Sequence, residues 1–211
     1  LLDRLGTWGI DTQSQVVVYD DCGGGIAARC WWLLRWLGHD AVALLDGGLP
    51  AWESAGQPLT TEVPSPAPRL FTRRRHEGAV NAAALQQDSD ALLVDARAAI
   101  RFRGEEEPID PVAGHIPGAV NIPFDANLDE EGRFLPVASL KERFVTLLGD
   151  RDPHSVIHYC GSGVTACHNL LAMEHSGLRG SRIYVGSWSE WITDPVREIA
   201  LGSSDSDSTS T

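Results

Sequence analysis

One stretch, residues 156–166, constrains the fold more than any other part of the chain. A short apolar run ends at Cys160, small residues follow over 161–163, and a helical pattern begins at Val164. Cys160 is therefore expected where a buried strand passes into a helix N-terminus, and there the first N–H groups of the helix point at the loop. Such a group of amides favours a thiolate, which is the nucleophilic form of cysteine. The stretch predicts a reactive-cysteine loop.

Short apolar strands alternate with helical patterns along the chain. Strands are expected over 16–19, 41–45, 91–94, 156–159 and 182–185, and the longer helices over 26–37, 139–148 and 164–175. Ser139 and Glu142 have the spacing of a capping box for the second of these helices. The alternation predicts an α/β fold with parallel sheets flanked by helices on both faces. Cys160 and Asp95 both end strands of such a sheet, so they can share one site.

The beginning of the chain repeats the pattern that surrounds Cys160. Residues 17–19 match 157–159 at an offset of 140, and Trp52 matches Trp191 at an offset of 139. This predicts a tandem repeat of one α/β unit. Because Asp95 has no counterpart in the first copy, that copy is expected to be truncated. The expected organisation is the C-terminal half of a first unit over 1–56, a proline-rich linker over 57–70, the unit that carries Cys160 over 71–200 and a disordered acidic tail over 201–211.

Composition and cysteine spacing exclude several classes of function. The chain has 17 basic and 29 acidic residues, and its net charge of -12 argues against binding to nucleic acid. No apolar run reaches the roughly 20 residues that cross a bilayer, so no membrane partner is predicted. The cysteines form no CxxC pair, so neither a metal site nor a cofactor is expected. Cys30 and Cys167 are expected as small buried hydrophobes in helices, and a reducing compartment, the cytoplasm, fits best.

A second class of cysteine enzyme can be excluded by spacing alone. A cysteine phosphatase needs an arginine six residues after its nucleophile, where the guanidinium holds the phosphate. Ala166 stands at that position after Cys160. The Cys160 loop is therefore not a phosphatase loop.

Five motifs resemble those of one known family and extend over nearly the whole chain, up to about residue 200. They are Asp95–Ala96–Arg97, Arg101–Phe102–Arg103–Gly104, the run Gly-His-Ile-Pro-Gly-Ala over 114–119, Cys-Gly-Ser-Gly-Val-Thr over 160–165 and Gly-Ser-Trp-Ser-Glu-Trp over 186–191. The set is similar to that of tandem rhodanese-domain sulfurtransferases. The resemblance implies rhodanese-like domains, with the catalytic cysteine in the second one and an inactive first domain packed against it.

The resemblance also implies a ping-pong transfer of sulfur. Cys160 would take sulfur from a small-molecule donor as a persulfide, and a thiol such as thioredoxin or glutathione, or cyanide, would accept it. The loop over 160–165 is the version typical of members that use 3-mercaptopyruvate and release pyruvate. Members that prefer thiosulfate carry two basic residues at the positions of Gly161 and Ser162, and thiosulfate transfer is the runner-up function here. A non-catalytic rhodanese-type binding module is the other alternative, although such modules have usually lost the cysteine or the tight loop.

Individual roles follow from the same resemblance. Cys160 would be the nucleophile, and Ser162 would donate to the ketone of the donor or help to move a proton. Arg101 would bind the carboxylate of the donor. The remaining substrate-binding positions are Gly161, Gly163, Val164 and Thr165, and Thr165 would also anchor the loop. Structural support is expected from Asp95 and Arg97, as a buried pair that holds the active-site loop, and from His115, as a loop residue fixed by hydrogen bonds.

The role of Arg101 has an alternative. Its side chain could instead form a surface ion pair with one of the acidic residues over 105–107. Longer relatives carry a second substrate arginine where this chain has Asp110. Binding of the carboxylate would therefore depend on Arg101 alone, or on Arg103.

Two residues of the first unit compete for the position equivalent to Cys160. Alignment on the following helices places Cys22 there, whereas alignment on the strands places Asp20 there. Asp20 and Asp21 would raise the pKa of the Cys22 thiol. The first loop is therefore expected to be vestigial, with sulfur transfer at Cys22 as a minority hypothesis.

Overall fold

The computed structural model describes residues 1–74 and 78–203. Most of the predicted tail, residues 204–211, lies outside them. The first part of the chain forms α1 (Leu2–Thr7), β1 (Val16–Val18), α2 (Ala27–Trp36), β2 (Val42–Leu44) and α3 (Gly48–Ser54). The second part forms β3 (Ala79–Val80), α4 (Ala82–Gln87), β4 (Leu92–Asp95), α5 (Ala99–Phe102), β5 (Val120–Asn121), α6 (Val137–Leu148), β6 (Val156–Tyr159), α7 (Ala166–His175), β7 (Arg182–Tyr184) and α8 (Ser187–Trp191), with 3-10 turns at Phe124–Asn127 and Pro153–Ser155.

Two parallel sheets carry these elements. β1 pairs with β2, and the five-stranded sheet has the order β3-β7-β6-β4-β5 with parallel neighbours throughout. β6 lies at its centre, and its four residues are all buried because helices cover both faces of the sheet. The predicted α/β class is therefore confirmed. None of the helices within 1–74 and 78–203 is long and apolar enough to cross a membrane.

The internal repeat is visible in the order of elements. β1, α2, β2 and α3 correspond to β6, α7, β7 and α8. Gly48 and Ser187, 139 residues apart, both begin their helices with a positive φ, of 56° and 54°. The backbone N–H of Leu49 donates to the Asp20 carbonyl at 2.9 Å, and that of Trp188 donates to the Cys160 carbonyl at 3.0 Å. The backbone hydrogen bonds thus place Asp20, not Cys22, opposite Cys160.

α2 and α7 pack against each other and join the two units. Buried residues of both helices, among them Ala28, Trp31, Cys167 and Leu170, belong to one hydrophobic cluster that also contains Cys160. Residues 57–74 have neither helix nor strand, and the segment returns along the first unit, where the Arg69 N–H donates to the Gly6 carbonyl at 2.9 Å. The domain boundaries proposed above remain a prediction.

Two details of the sequence prediction are wrong. α6 begins at Val137, two residues before the expected start, and Ser139 does not cap it. Pro136 takes the capping position, and its carbonyl accepts the Ser139 N–H at 2.9 Å, so Ser139 already lies inside the first turn. Cys30 is exposed, because α2 turns its neighbours Trp31 and Trp32 inward instead. Cys167 is buried as expected.

The Asp20 carboxylate fills the loop of the first unit. Oδ1 accepts the N–H groups of Cys22 (3.0 Å) and Gly24 (2.8 Å), and Oδ2 accepts those of Ile26 and Ala27 (2.8 Å each). Burial alone would raise the pKa of Asp20, but these four hydrogen bonds outweigh it and lower that pKa below its usual value. The helix N-terminus of α2 thus binds an anion that the chain itself supplies.

We predict that Asp20→Asn destabilises the fold by about 2 kcal/mol near neutral pH, because an amide keeps one acceptor and opposes the remaining donors. Asp20 has a depressed pKa in the folded state, so its contribution is present above its unfolded pKa and is lost as pH falls through the folded value. The gap between wild type and variant should therefore narrow below about pH 4. Urea unfolding at several pH values measures this, with Asp21→Asn as the matched control. A gap that does not depend on pH would contradict the assignment.

Candidate active site

Cys160 lies directly after the central strand β6, and α7 begins six residues later at Ala166. Cys160 is only 2% exposed, so it forms the floor of the loop. Ser162, in contrast, is exposed, and Gly161 is half-buried. The predicted strand–loop–helix geometry of the cysteine is present.

The first turn of α8 holds this loop through three backbone groups. The Cys160 N–H donates to Ser187 Oγ at 3.2 Å, and the Cys160 carbonyl accepts the Trp188 N–H. The Gly161 carbonyl accepts the Ser189 N–H at 2.9 Å. Ser187 is fully buried and donates its hydroxyl to the Tyr184 carbonyl at 2.9 Å. These serines were not assigned a role from the sequence, and the only signal for them was the Ser-Trp-Ser run itself.

The backbone amides of the loop are available to a ligand. Within residues 1–74 and 78–203, the N–H groups of residues 161–165 donate to no acceptor. Cys160 Sγ does not accept a hydrogen bond from them either. That these amides favour the thiolate of Cys160 remains a prediction. Thr165 stands at the N-cap of α7 without a side-chain cap hydrogen bond, so its expected anchoring of the loop is not found. α8 anchors the loop instead.

Gly163 is the tightest point of the loop. Its φ is 76°, and a Cβ added there would lie 2.6 Å from the Val185 carbonyl oxygen. Its own carbonyl accepts Arg29 Nη1 from α2 at 3.1 Å, so the first unit contacts the cysteine loop directly. Arg29 also stacks on Trp32, with its guanidinium carbon 4.8 Å from the ring centroid. Sequence reasoning missed Arg29, because its partner lies 134 residues away.

A buried charged network begins at the end of β4. Arg97 Nη2 lies 2.6 Å from Asp95 Oδ2, and both side chains are at most 1% exposed. The same guanidinium donates to the Gly114 carbonyl at 2.7 Å and contacts Glu107 Oε2 at 3.2 Å. Burial opposes the charge of Arg97, but the hydrogen bond and charge of Asp95 outweigh it and raise the pKa of Arg97. The expected buried pair is present, and its role in support of the loop remains a prediction.

Arg101 extends this network to the cysteine loop. Its Nη2 lies 2.6 Å from Glu107 Oε1 and 3.2 Å from Asp110 Oδ2, and its Nη1 donates to no acceptor within the described ranges. A Cβ added at Gly161 would lie 3.6 Å from Nη2 and 3.7 Å from Nη1, so the guanidinium faces the loop. Arg101 therefore makes the alternative ion pair with Glu107 and also lies beside the predicted site. Arg103 does not: it is bound by Glu105 in an exposed pair at 2.7 Å.

The surroundings of Glu107 favour its ionised form. Burial would raise its pKa, but hydrogen bonds from Arg101 and from the backbone N–H groups of Asp110 and Ile109 outweigh burial and lower that pKa. Sequence reasoning treated Glu107 only as one of three acidic neighbours. Glu107 differs from Glu105 and Glu106 because, of the three, it alone contacts both Arg97 and Arg101, and this depends on how the segment folds.

His115 and Trp188 support the surroundings of the site. His115 is 2% exposed, its Nδ1 lies 2.7 Å from the Phe102 carbonyl oxygen, and its ring stacks on the Phe102 ring at 3.7 Å. Trp188 is fully buried, donates Nε1 to the Val112 carbonyl at 2.8 Å and lies under the Arg97 guanidinium. Both residues therefore have the contacts of scaffold residues.

The thiols of Cys22 and Cys167 have raised pKa values, which disfavours their nucleophilic thiolate forms. Loss of hydration and then the charge of Asp20 raise the pKa of the Cys22 thiol, as expected from the sequence. Burial raises the pKa of Cys167 to about 12. Groups of three or more potential metal ligands are not found in the described residues.

Comparisons with known proteins place these features in a wider context. The family model of the rhodanese-like domain matches residues 2–55 and 79–194. The probable 3-mercaptopyruvate sulfurtransferase of Pseudomonas aeruginosa is 53% identical over 94% of this chain and 72% of its own length. The human 3-mercaptopyruvate sulfurtransferase is 38% identical over 90% of this chain and 66% of its own length. The thiosulfate sulfurtransferase of Gallus gallus is 35% identical over 90% and 68%.

A solved structure shows the same fold. The anaerobic ergothioneine biosynthesis enzyme from Chlorobium limicola, solved in complex with trimethyl histidine, superposes with a TM-score of 0.82 at 22% identity. The match covers 94% of this chain and 53% of that enzyme, so the chain spans about half the length of the solved protein.

The close approach at Gly163 predicts the outcome of a matched pair of substitutions. Gly163 and Gly118 both have a φ of 76°, but a Cβ at Gly118 meets nothing within 4 Å. Gly118→Ala should cost about 1 kcal/mol from the strained φ alone. Gly163→Ala adds a clash with the Val185 carbonyl and should cost about 3 kcal/mol. Urea unfolding of both variants measures the difference, and equal costs would show that the loop has room to relax.

Proposed function

The chain belongs to the rhodanese-domain sulfurtransferases, within the group of 3-mercaptopyruvate and thiosulfate sulfurtransferases, and we propose that it transfers sulfur from 3-mercaptopyruvate through a persulfide on Cys160. The proposal gives Cys160 the role of nucleophile and the loop amides the role of an anion-binding cradle. A thiol or cyanide would accept the sulfur from the persulfide.

The observation that carries this proposal is the occupied loop of the first unit. There the Asp20 carboxylate oxygens accept four loop N–H groups, and Asp20 is the structural counterpart of Cys160. A carboxylate oxygen of aspartate and the outer sulfur of a cysteine persulfide lie the same number of bonds from Cα. The free amides over 161–165 are therefore placed for the outer sulfur rather than for Sγ itself. This supports a loop built to bind a persulfide anion.

The reaction balances without a further reagent. The Cys160 thiolate attacks the thiol sulfur of 3-mercaptopyruvate, an S–S bond forms, and the C–S bond breaks. The electron pair leaves with carbon as the enolate of pyruvate. That enolate takes up one proton, and the new persulfide releases one, so pyruvate and a persulfide anion are the products. Exposed Ser162 can donate its hydroxyl to the enolate oxygen, where negative charge develops.

The choice of 3-mercaptopyruvate follows from the charges near the loop. Gly161 and Ser162 bring no cation to the loop, whereas a compact dianion such as thiosulfate is best bound by cations placed there. A donor with a single carboxylate needs one cation at a distance. Arg101 supplies it beside Gly161, and Nη1 is the edge of the guanidinium that a carboxylate would meet.

The proposal includes a cytoplasmic location, because sulfur transfer at a thiol needs a reducing compartment. All four cysteines of the chain are free. Thiosulfate remains the second candidate donor, since thiosulfate sulfurtransferases are also among the similar proteins. We propose thioredoxin or glutathione as the thiol that accepts the sulfur.

We predict that the intact mass of the chain rises by one sulfur atom after incubation with 3-mercaptopyruvate, and that Cys160→Ser abolishes the gain. Cys22→Ser is the matched control and should gain sulfur as the wild type does, because the Cys22 pKa is raised. A gain with thiosulfate alone would reverse the donor assignment. A gain that survives in Cys160→Ser but is lost in Cys22→Ser would move the nucleophile to the first loop.

We further predict that Arg101→Lys raises KM for 3-mercaptopyruvate about tenfold and changes kcat by less than about threefold, because an ammonium cannot hold Glu107 and a donor carboxylate in one plane. Arg103→Lys makes the same chemical change in the exposed pair with Glu105 and should leave both constants within about twofold. Steady-state pyruvate release measures both variants. An unchanged KM in Arg101→Lys would remove Arg101 from the donor site.

A further inference from the structure

We propose that Asp110 is a specificity-determining residue, which shares Arg101 with the carboxylate of the donor and disfavours dianionic donors. The inference rests on the proposed function, because it concerns the same donor site. Asp110 was noted from the sequence only as a departure from relatives that have arginine there. Its contacts in the structure give it a role of its own.

Asp110 is fixed beside the cysteine loop. Its side chain is 8% exposed, and its Oδ2 lies 3.2 Å from Arg101 Nη2. A Cβ added at Gly161 would lie 3.8 Å from this oxygen and 3.7 Å from Arg101 Nη1. The resident carboxylate and the free edge of the guanidinium therefore flank the same residue of the loop. A donor that reaches Nη1 must come close to Asp110.

Ser189 prevents Asp110 from turning away. Its Oγ lies 2.8 Å from Asp110 Oδ1 and also 2.8 Å from the Gly161 carbonyl oxygen. One hydroxyl proton serves these two acceptors in turn, so movement of Asp110 would disturb the support of the loop. Asp110 is consequently a fixed negative charge at the site. A donor that displaced it would have to break its hydrogen bond with Ser189.

The charge balance gives the direction of the effect. Arg97 and Arg101 are matched by Asp95 and Glu107, so Asp110 leaves the network with a net charge of -1. Repulsion grows in proportion to the charge of the incoming anion. Thiosulfate carries two negative charges and 3-mercaptopyruvate carries one, so Asp110 should penalise thiosulfate more. The residue thereby strengthens the preference for a monoanionic donor.

Asp110→Asn tests this role with little change of shape. The amide oxygen can accept from Arg101 Nη2, and the amide NH2 can donate to Ser189 Oγ, whose proton then goes to the Gly161 carbonyl. Glu107 still holds Arg101. We expect KM to fall about threefold for 3-mercaptopyruvate and about tenfold for thiosulfate, with a smaller effect at high salt. Glu105→Gln removes the same charge from an exposed position in the same segment, and it should change neither KM by more than about twofold.

Binding in the Cys160→Ser background separates this inference from the proposed function. Titration calorimetry with thiosulfate compares Cys160→Ser with Cys160→Ser/Asp110→Asn, and no turnover is needed. Tighter binding in the double variant supports the role of Asp110 even if the wild type forms no persulfide, a result that would overturn the proposed function alone. Equal or weaker thiosulfate binding overturns the role of Asp110, whether or not the wild type is active. An equal loss of kcat for both donors in Asp110→Asn would likewise overturn the inference, because it would show that Asp110 only supports the structure of the site.

Discussion

One backbone hydrogen bond recurs in both units, and the site depends on it. A carbonyl one or two residues after the first strand of the repeated segment accepts an N–H from the first turn of that segment's second helix. In one copy the pair is Asp20 and Leu49, and in the other it is Cys160 and Trp188. In both copies the residue that begins this helix, Gly48 or Ser187, has a positive φ. Glycine adopts this conformation readily, whereas at Ser187 it is strained. The hydrogen bond from Trp188 holds the Cys160 end of the second loop against α8.

The buried charged side chains beside the loop also hold one another in place. Arg97 joins Asp95 at the end of β4 to Glu107, and Glu107 joins Arg97 to Arg101. Removal of Arg97 would leave the buried Asp95 carboxylate without its ion-pair partner, which costs far more than an exposed pair contributes. The network therefore keeps the Arg101 guanidinium in one place beside the loop. A donor meets a preorganised cation, and no side chain has to be ordered when it binds.

Local patterns in the sequence predicted most elements and the strand–loop–helix position of Cys160. Apolar runs and glycines fix β6, the Cys160 loop and the start of α7 within a few residues of each other, so the prediction needed no long-range contact. Contacts across the fold were missed for the opposite reason. Arg29 meets Gly163 only because α2 packs on α7, and Ser189 meets Asp110 only because α8 lies against the Cys160 loop. The alternative alignments of Cys22 and Asp20 also needed the structure, because the first loop is two residues longer than the second.

The packing of α2 on α7 explains how the first unit contributes to the Cys160 loop. Arg29 of the first unit donates to the Gly163 carbonyl, and His168 of the second lies 3.1 Å from the Gly23 carbonyl oxygen through Nε2. Arg29 and His168 are 139 residues apart, so the two contacts are related by the repeat. Burial lowers the pKa of His168 to about 4, so at neutral pH its uncharged ring can keep a proton on Nε2 for Gly23. Each unit thus holds the loop of the other. The first loop, filled by its own Asp20 carboxylate, can remain rigid without a substrate and so support the Cys160 loop through α2.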